Sequence, residues 1–198
     1  MISSHQELDK TFRLLGGILD LRGALPVRFV VCGGAALLAR GLRQRTTQDV
    51  DILAMLDDHE QAVAPTPLPE DLVEAASQVA TTLDLPPDWL NNEPSRDGHG
   101  LFQMGLPEGL LNRTLCRTYG SSLQVYYVDR IDLVYFKLYA AARAGGRHVD
   151  DLMALAPKEN ELQNAATWAL ACDGSEDFRK AVKGLLGGLG YGRLAQEL

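Results

Sequence analysis

Apolar spacing predicts that the chain opens with a helix. Leu8, Phe12, Leu15, Ile18 and Leu19 recur at intervals of three and four, the repeat that lines one face of an α-helix. Residues 4–21 therefore read as an amphipathic helix and 22–26 as a turn. Residues 27–32, VRFVVC, are rich in β-branched and aromatic side chains and predict a buried strand. Gly33-Gly34 ends it, and 35–42 predict a helix. Acid and apolar positions alternate over 49–53, the pattern of a strand with two different faces. A proline-rich loop at 65–69 precedes a helix at 70–83. Residues 85–100 are dense in Pro, Gly and Asn and predict irregular chain. A strand is expected at 123–128. The next helix starts at Asp129 or Asp132 and carries Val134, Leu138 and the alanines through Arg143. From 149 onward only helical patterns remain, at 149–155, 158–171 and 175–186, with Pro157 and Gly174 as breaks. The order predicts an α/β core over 1–130 followed by a helical region over 131–198 packed on it, or the two fused as one domain. There is no internal repeat and no low-complexity tract.

Composition narrows this. With 198 residues, 46% of them hydrophobic, the chain can bury one full core and a small helical addition. The formal net charge of -7 argues against a general nucleic-acid binder, because affinity for phosphate backbones comes mostly from Lys and Arg. A local basic patch can still hold a phosphate or an RNA end. Cys32, Cys116 and Cys172 are far apart and odd in number, so neither a zinc site nor a disulfide framework is suggested. A reducing cytoplasm is the expected setting. The opening MISSHQELDK has no apolar signal core, and no apolar run approaches the roughly 18 residues of a membrane span. The chain is therefore expected to be cytosolic, with no membrane partner. No Gly-x-Ser-x-Gly, His-Glu-x-x-His or Walker pattern occurs, which leaves hydrolase, zinc-protease and P-loop readings without support.

The candidate chemistry lies in FVVCGGAALLARGLRQRTTQDVDIL, residues 29–53. On a strand, Asp49 and Asp51 point to one side and Val50 to the other, with Cα atoms about 6.5 Å apart. Two such carboxylates repel unless a cation sits between them. Mg²⁺, or Mn²⁺ in its place, suits this arrangement, since Mg²⁺ is commonly held by a few carboxylates plus substrate phosphates. Gly33 and Gly34 stand where a strand turns into a helix. Their missing side chains let a phosphate approach the backbone, and a helix N-terminus offers N–H groups to it. Arg43, Arg45, Thr46 and Thr47 supply charge and hydroxyls between the two parts. Together they suggest phosphoryl or nucleotidyl transfer. The plainer readings are a surface strand with Asp49 and Asp51 facing water, a glycine turn, and a solvated face for Arg40, Arg43 and Arg45. Lys137 can equally be an exposed position on an amphipathic helix. Asp150 and Asp151 can be acids complementing a helix dipole. His59 and His99 are expected at the surface, Asn91-Asn92 in a turn, and Trp168 in packing.

The run from the apolar strand through the Gly-Gly turn and short helix to Asp-x-Asp resembles the nucleotidyltransferase superfamily with its polymerase-β-like fold. The spacing between Gly34 and Asp49 resembles the AbiEii-type toxin branch. The second half, LQVYYVDRIDLVYFKLYAAARAGGRHVDDLMALAP over 123–157, is similar to the strand, Lys-bearing helix and following acidic helix of that branch. Taken whole, the run resembles the small bacterial nucleotidyltransferase family called DUF6036, whose members also end in a helix similar to PKENELQNAATWAL. The resemblance covers about residues 27–170. It implies an α+β fold with a nucleotidyltransferase-like mixed β-sheet flanked by helices and a C-terminal helical part. It implies Asp49 and Asp51 as Mg²⁺ (or Mn²⁺) ligands and catalytic acids, and Gly33 and Gly34 as the phosphate-binding turn, with Arg45 and Thr47 beside it. Lys137 matches the lysine that holds nucleotide phosphates, and Asp151 the catalytic acid that follows. The implied substrate is an NTP. The implied acceptor is a tRNA end, a protein or a small molecule, and a cognate antitoxin protein is an implied partner. Two departures stand out. His148 occupies the place of the first acid in the pattern before Asp151. The strand at 123–128 offers Gln124 and Tyr126 where many members carry a third carboxylate, with Asp129 just beyond. The alternative is a weakly active or inactive member that binds nucleotide or a partner protein.

Overall fold

Ser4 starts the first helix by accepting a hydrogen bond from the Glu7 N–H, 3.2 Å away. In a computed structural model of the protein, residues 1–42, 46–96 and 100–198 are described. Arg43, Arg45 and His99 lie outside them. Helix α1 (His5–Arg22) buries Leu8, Phe12, Leu15 and Leu19, the face that the apolar spacing predicts. The Phe12 ring packs against Phe29, Trp89, Tyr119 and Tyr127, with ring centres 5.4–6.3 Å apart. This aromatic cluster joins the helix to the sheet beneath it. Aromatic pairs at such spacings add stabilisation beyond their buried area.

The chain divides into two compact units, Met1–Asp129 and Arg130–Leu198. In the first, α1 is followed by β1 (Val27–Cys32), α2 (Gly33–Ala39), β2 (Val50–Leu56), β3 (Ala62–Val63), α3 (Glu70–Leu83), β4 (Leu90–Asn91), α4 (Glu93–Arg96), α5 (Leu110–Arg113), β5 (Leu115–Tyr119) and β6 (Leu123–Tyr127). The strands form one open mixed sheet in the order β3-β2-β1-β6-β5, with β4 pairing β2. Strand β1 runs antiparallel to β2, with a register shift between Val30 and Val31, and parallel to β6. Strand β4 is parallel to β2.

The differences from the sequence reading are local. Helix α2 begins at Gly33 itself, and β2 begins at Val50 and runs on to Leu56. The stretch 85–100, expected to be irregular, holds β4 and α4. Trp89 is fully buried there and its indole N–H donates to the Ala76 carbonyl, 2.9 Å away. Ser95 is also buried, its hydroxyl bonded to the Leu53 carbonyl at 2.8 Å. Pairing to β2 and these anchors, rather than local propensity, order that segment.

The second unit is helical: α6 (Arg130–Ala144), α7 (Arg147–Ala154), α8 (Glu159–Cys172), α9 (Glu176–Gly188) and α10 (Gly192–Glu197). Gly145 and Gly146, both at positive φ, make the tight turn between α6 and α7, a backbone region that side-chain-bearing residues avoid. Trp168 of α8, half-buried, packs against Tyr135, Phe136 and Tyr139 of α6 at 5.7–6.1 Å, the packing role expected of it. Among the described residues, no helix is long and apolar enough to cross a membrane.

Candidate functional site

Strands β1 and β2 lie side by side with Cys32 in register with Asp51, and Asp51 in turn is in register with Asn91 of β4. Strand β1 ends at Cys32. Gly33 then turns the chain into α2 at φ +67°. A Cβ at this position would collide with the Asp51 carboxylate, standing 3.3 Å from its Cγ. The bare backbone bend and the second acid therefore meet with no side chain between them. Asp49, just before β2, and Asp51 are both half-buried, while Val50 between them is fully buried. Val50 thus faces the core, and the acids on either side of it are the more accessible positions.

The other predicted residues around this bend fall as follows. Gly34 is buried within α2. That helix has seven residues, too short for much dipole, so any anion-binding capacity rests on the half-buried backbone at Gly33. Thr47 is buried, and its hydroxyl donates between the Asp49 carbonyl and the Asp49 carboxylate, 3.1 Å from each. Arg45 lies outside the described residues.

Arg40, which the sequence reading weighed as a solvated position, is partly buried at the end of α2. Its guanidinium donates to the Asp129 carboxylate at 2.9 Å, the Arg113 carbonyl at 2.7 Å and the Tyr127 carbonyl at 3.0 Å. It ties α2 to the ends of β6 and α5 and neutralises Asp129, the acid just past the strand where a third carboxylate was sought. Gln124 on β6 instead accepts from Arg28 at 3.2 Å and from the Tyr126 hydroxyl at 3.3 Å. Among the described residues, no group of three or more His, Cys, Asp or Glu side chains is placed to hold a metal. Asp49 and Asp51 are a two-carboxylate set, which Mg²⁺ accepts when waters and substrate phosphates complete its octahedron.

In the helical unit, Lys137 of α6 and Asp151 of α7 form an ion pair at 2.8 Å, with the lysine side chain 8% and the aspartate 0% exposed. The turn at Gly145-Gly146 folds the two helices back so that the pair meets. Arg130 donates to the Leu155 carbonyl at 2.9 Å and pairs with Glu161. Burial works against the charge of Glu161, but the Lys158 N–H and Arg130 outweigh it and hold its carboxyl below its ordinary value. His148 is half-buried and Asp150 exposed.

A surface groove of about 730 Å³, lined among others by Leu25, Arg28, Met55, Val63, Glu70 and Glu74, lies at the start of β1 and the end of β2. That is the opposite end of the strand pair from Gly33 and Asp51. Sequence reasoning missed Ile2 and Arg40 as parts of the site's surroundings. Both act through backbone groups far along the chain, which spacing does not reveal. Searched against known protein families, curated proteins and solved structures, the chain matches none of them.

Proposed function

We propose that the chain is an Mg²⁺-dependent nucleotidyltransferase of polymerase-β-like fold that moves an NMP from an NTP to a hydroxyl acceptor and releases pyrophosphate. One observation carries the reading: the Asp51 carboxylate lies against the bare backbone of Gly33, with Asp49 two residues away and likewise half-buried. The donor set fits a hard divalent cation, being carboxylate oxygen only. A bound Mg²⁺ or Mn²⁺ would neutralise triphosphate charge and favour ionisation of the attacking hydroxyl.

The chain's own groups do the rest. Asp49 and Asp51 supply the anionic oxygens, and Thr47 fixes the direction of Asp49. Gly33, with no Cβ, leaves room for the Asp51 carboxylate to lie against the backbone bend. The acceptor oxygen bonds to the α-phosphorus, the bond from that phosphorus to the bridging oxygen breaks, and the hydroxyl proton passes to solvent. The reading rests on the Met1–Asp129 unit alone. Lys137 and Asp151 remain in it as residues that the resemblance assigns to phosphate binding and catalysis, tested separately below. The acceptor is a tRNA end, a protein or a small molecule, and the net charge of -7 disfavours a long RNA footprint. A cytoplasmic toxin paired with an antitoxin protein belongs to the same proposal.

The test is transfer of label from α-labelled NTPs onto a bacterial extract with Mg²⁺ present. The wild type is expected to label an acceptor, and Asp49→Asn and Asp51→Asn to leave it at background. Full transfer by either variant removes the metal-site assignment. Growth arrest on induced expression, relieved by Asp51→Ala, tests the toxin role. A second reading, a protein that binds nucleotide or a partner without turnover, is favoured by the two-carboxylate site and by the engagement of Asp129 with Arg40. Calorimetric binding of Mg²⁺-ATP without any label transfer would select it.

A further inference from the structure

The first three residues reach the site by a route the functional reading does not use. Ile2 and Thr47 form an isolated antiparallel bridge: the Ile2 N–H donates to the Thr47 carbonyl at 2.9 Å, and the Thr47 N–H donates to the Ile2 carbonyl at 2.8 Å. The Ile2 side chain is 1% exposed and Thr47 5%, so the bridge is a buried fixture and not a passing surface contact. Ser3 is held in turn by α1, with its N–H and hydroxyl both donating to the Glu7 carboxylate, the N–H at 2.6 Å. The Glu7 carboxyl is drawn below its ordinary value by these bonds. A continuous chain of contacts thus runs from α1, packed on the sheet, through Ser3 and Ile2 to Thr47, and from the Thr47 hydroxyl to Asp49.

We propose that residues 1–3 are a strap that positions Asp49, acting through Thr47, so that metal affinity at the Asp49–Asp51 pair depends on a segment more than forty residues away in sequence. The inference rests on the metal-site reading above and adds to it Ile2, a positioning residue that acts through Thr47. The physical reason lies in where Asp49 sits. It precedes β2 and has no place in the sheet ladder, unlike Asp51, whose neighbours on both sides are paired strands. Something other than the sheet must fix it, and Thr47 is the residue bonded to it. Partners that orient a metal-binding carboxylate typically change metal affinity by about ten- to a hundredfold when removed.

The test uses the whole chain and Mn²⁺ together with a non-hydrolysable ATP analogue, followed by calorimetry. Thr47→Val keeps the shape and the backbone bridge but removes the hydroxyl, and Ile2→Pro removes the Ile2 N–H. Both are expected to weaken Mn²⁺ binding about tenfold, while Thr47→Ser, which keeps the hydroxyl, and Ile2→Val, which keeps the bridge and an apolar side chain, bind as the wild type does. Unchanged binding in Thr47→Val overturns the proposal, as does equal weakening in Thr47→Ser, which marks a packing role only. Amide hydrogen exchange over residues 46–52, measured without metal, keeps the two readings apart. Should the wild type bind no Mn²⁺, the nucleotidyltransferase reading falls, and the strap is judged on exchange. Faster exchange in Ile2→Pro with α1 still protected supports the strap, and unchanged exchange overturns it.

Discussion

The two units treat charge in opposite ways. The α/β unit carries ten Lys and Arg against seventeen Asp and Glu, so the whole net charge of -7 belongs to it, while the helical unit is neutral. In the α/β unit, Asp49 and Asp51 stand half-exposed at a strand end, beside a backbone that has no Cβ. In the helical unit, Lys137 and Asp151 are sealed against one another, and Glu161 is closed in by Arg130. The contrast separates half-buried charges at a strand end from charges that hold helices in place. A buried pair is costly to desolvate and is disrupted strongly when one member is removed. An exposed carboxylate contributes little to stability, and its loss should register in chemistry first.

That contrast can be broken at several points. The largest effect is expected from Lys137→Met or Asp151→Ala. Each leaves a buried charge without its partner and should cost about 3–5 kcal/mol in chemical denaturation. The pair Lys137→Met with Asp151→Leu should recover most of that loss. Recovery of stability without recovery of label transfer would add a functional role to the structural one. Next comes Gly33→Ala, which meets both the positive φ and the Asp51 carboxylate. It should destabilise by about 1–3 kcal/mol, and in Mn²⁺ titrations it should bind far more weakly than the wild type. Asp49→Asn with Asp51→Asn should move the unfolding free energy by less than about 1 kcal/mol while abolishing transfer, and a large stability loss would place these acids with the structural charges instead.

Acid sensitivity gives a finer measure. The Asp20 carboxylate accepts from the Ser121 and Ser122 backbone N–H groups at 2.8–3.1 Å and from the Ser121 hydroxyl. The Ser121 backbone bond leads in holding its carboxyl down at about 2. Because the folded value lies below the unfolded one, this contribution is complete above about pH 4 and disappears as the pH falls toward 2. Asp20→Asn should therefore flatten the acid limb of the stability curve between those values in urea titrations, with little change at neutral pH in that slope.

Much of the molecule is legible along the chain. The periodic residues of α1, the β-branched run of β1, the helix at 70–83 and the strand at 123–127 emerge where the pattern puts them, since each buries one continuous face. So do α6 to α9 of the C-terminal unit, within a residue or two at their ends, while α10 carries no pattern that predicted it. Strands β3 and β4 do not, being two residues each and ordered by pairing with β2. Strand β5 does not either: it is mostly exposed at the sheet edge, so it shows no alternation for burial to write into the sequence.

The site divides in the same way. Val50 and Asp51 alternate buried and half-buried as strand residues do, whereas Asp49, read as part of the same strand, lies just before it. Gly33 was recognisable because a turn straight out of a strand calls for a residue without a side chain. What the amino-acid order determined by itself is thus a set of short-range facts: which segments bury a face, and where a strand gives way to a turn. The contact of Gly33 with Asp51, the Ile2–Thr47 bridge, the hold of Arg40 on Asp129 and the sealing of Lys137 against Asp151 were decided only in three dimensions. Each joins residues from separate elements, and no local propensity encodes the strand register or helix turn that brings them within hydrogen-bonding distance.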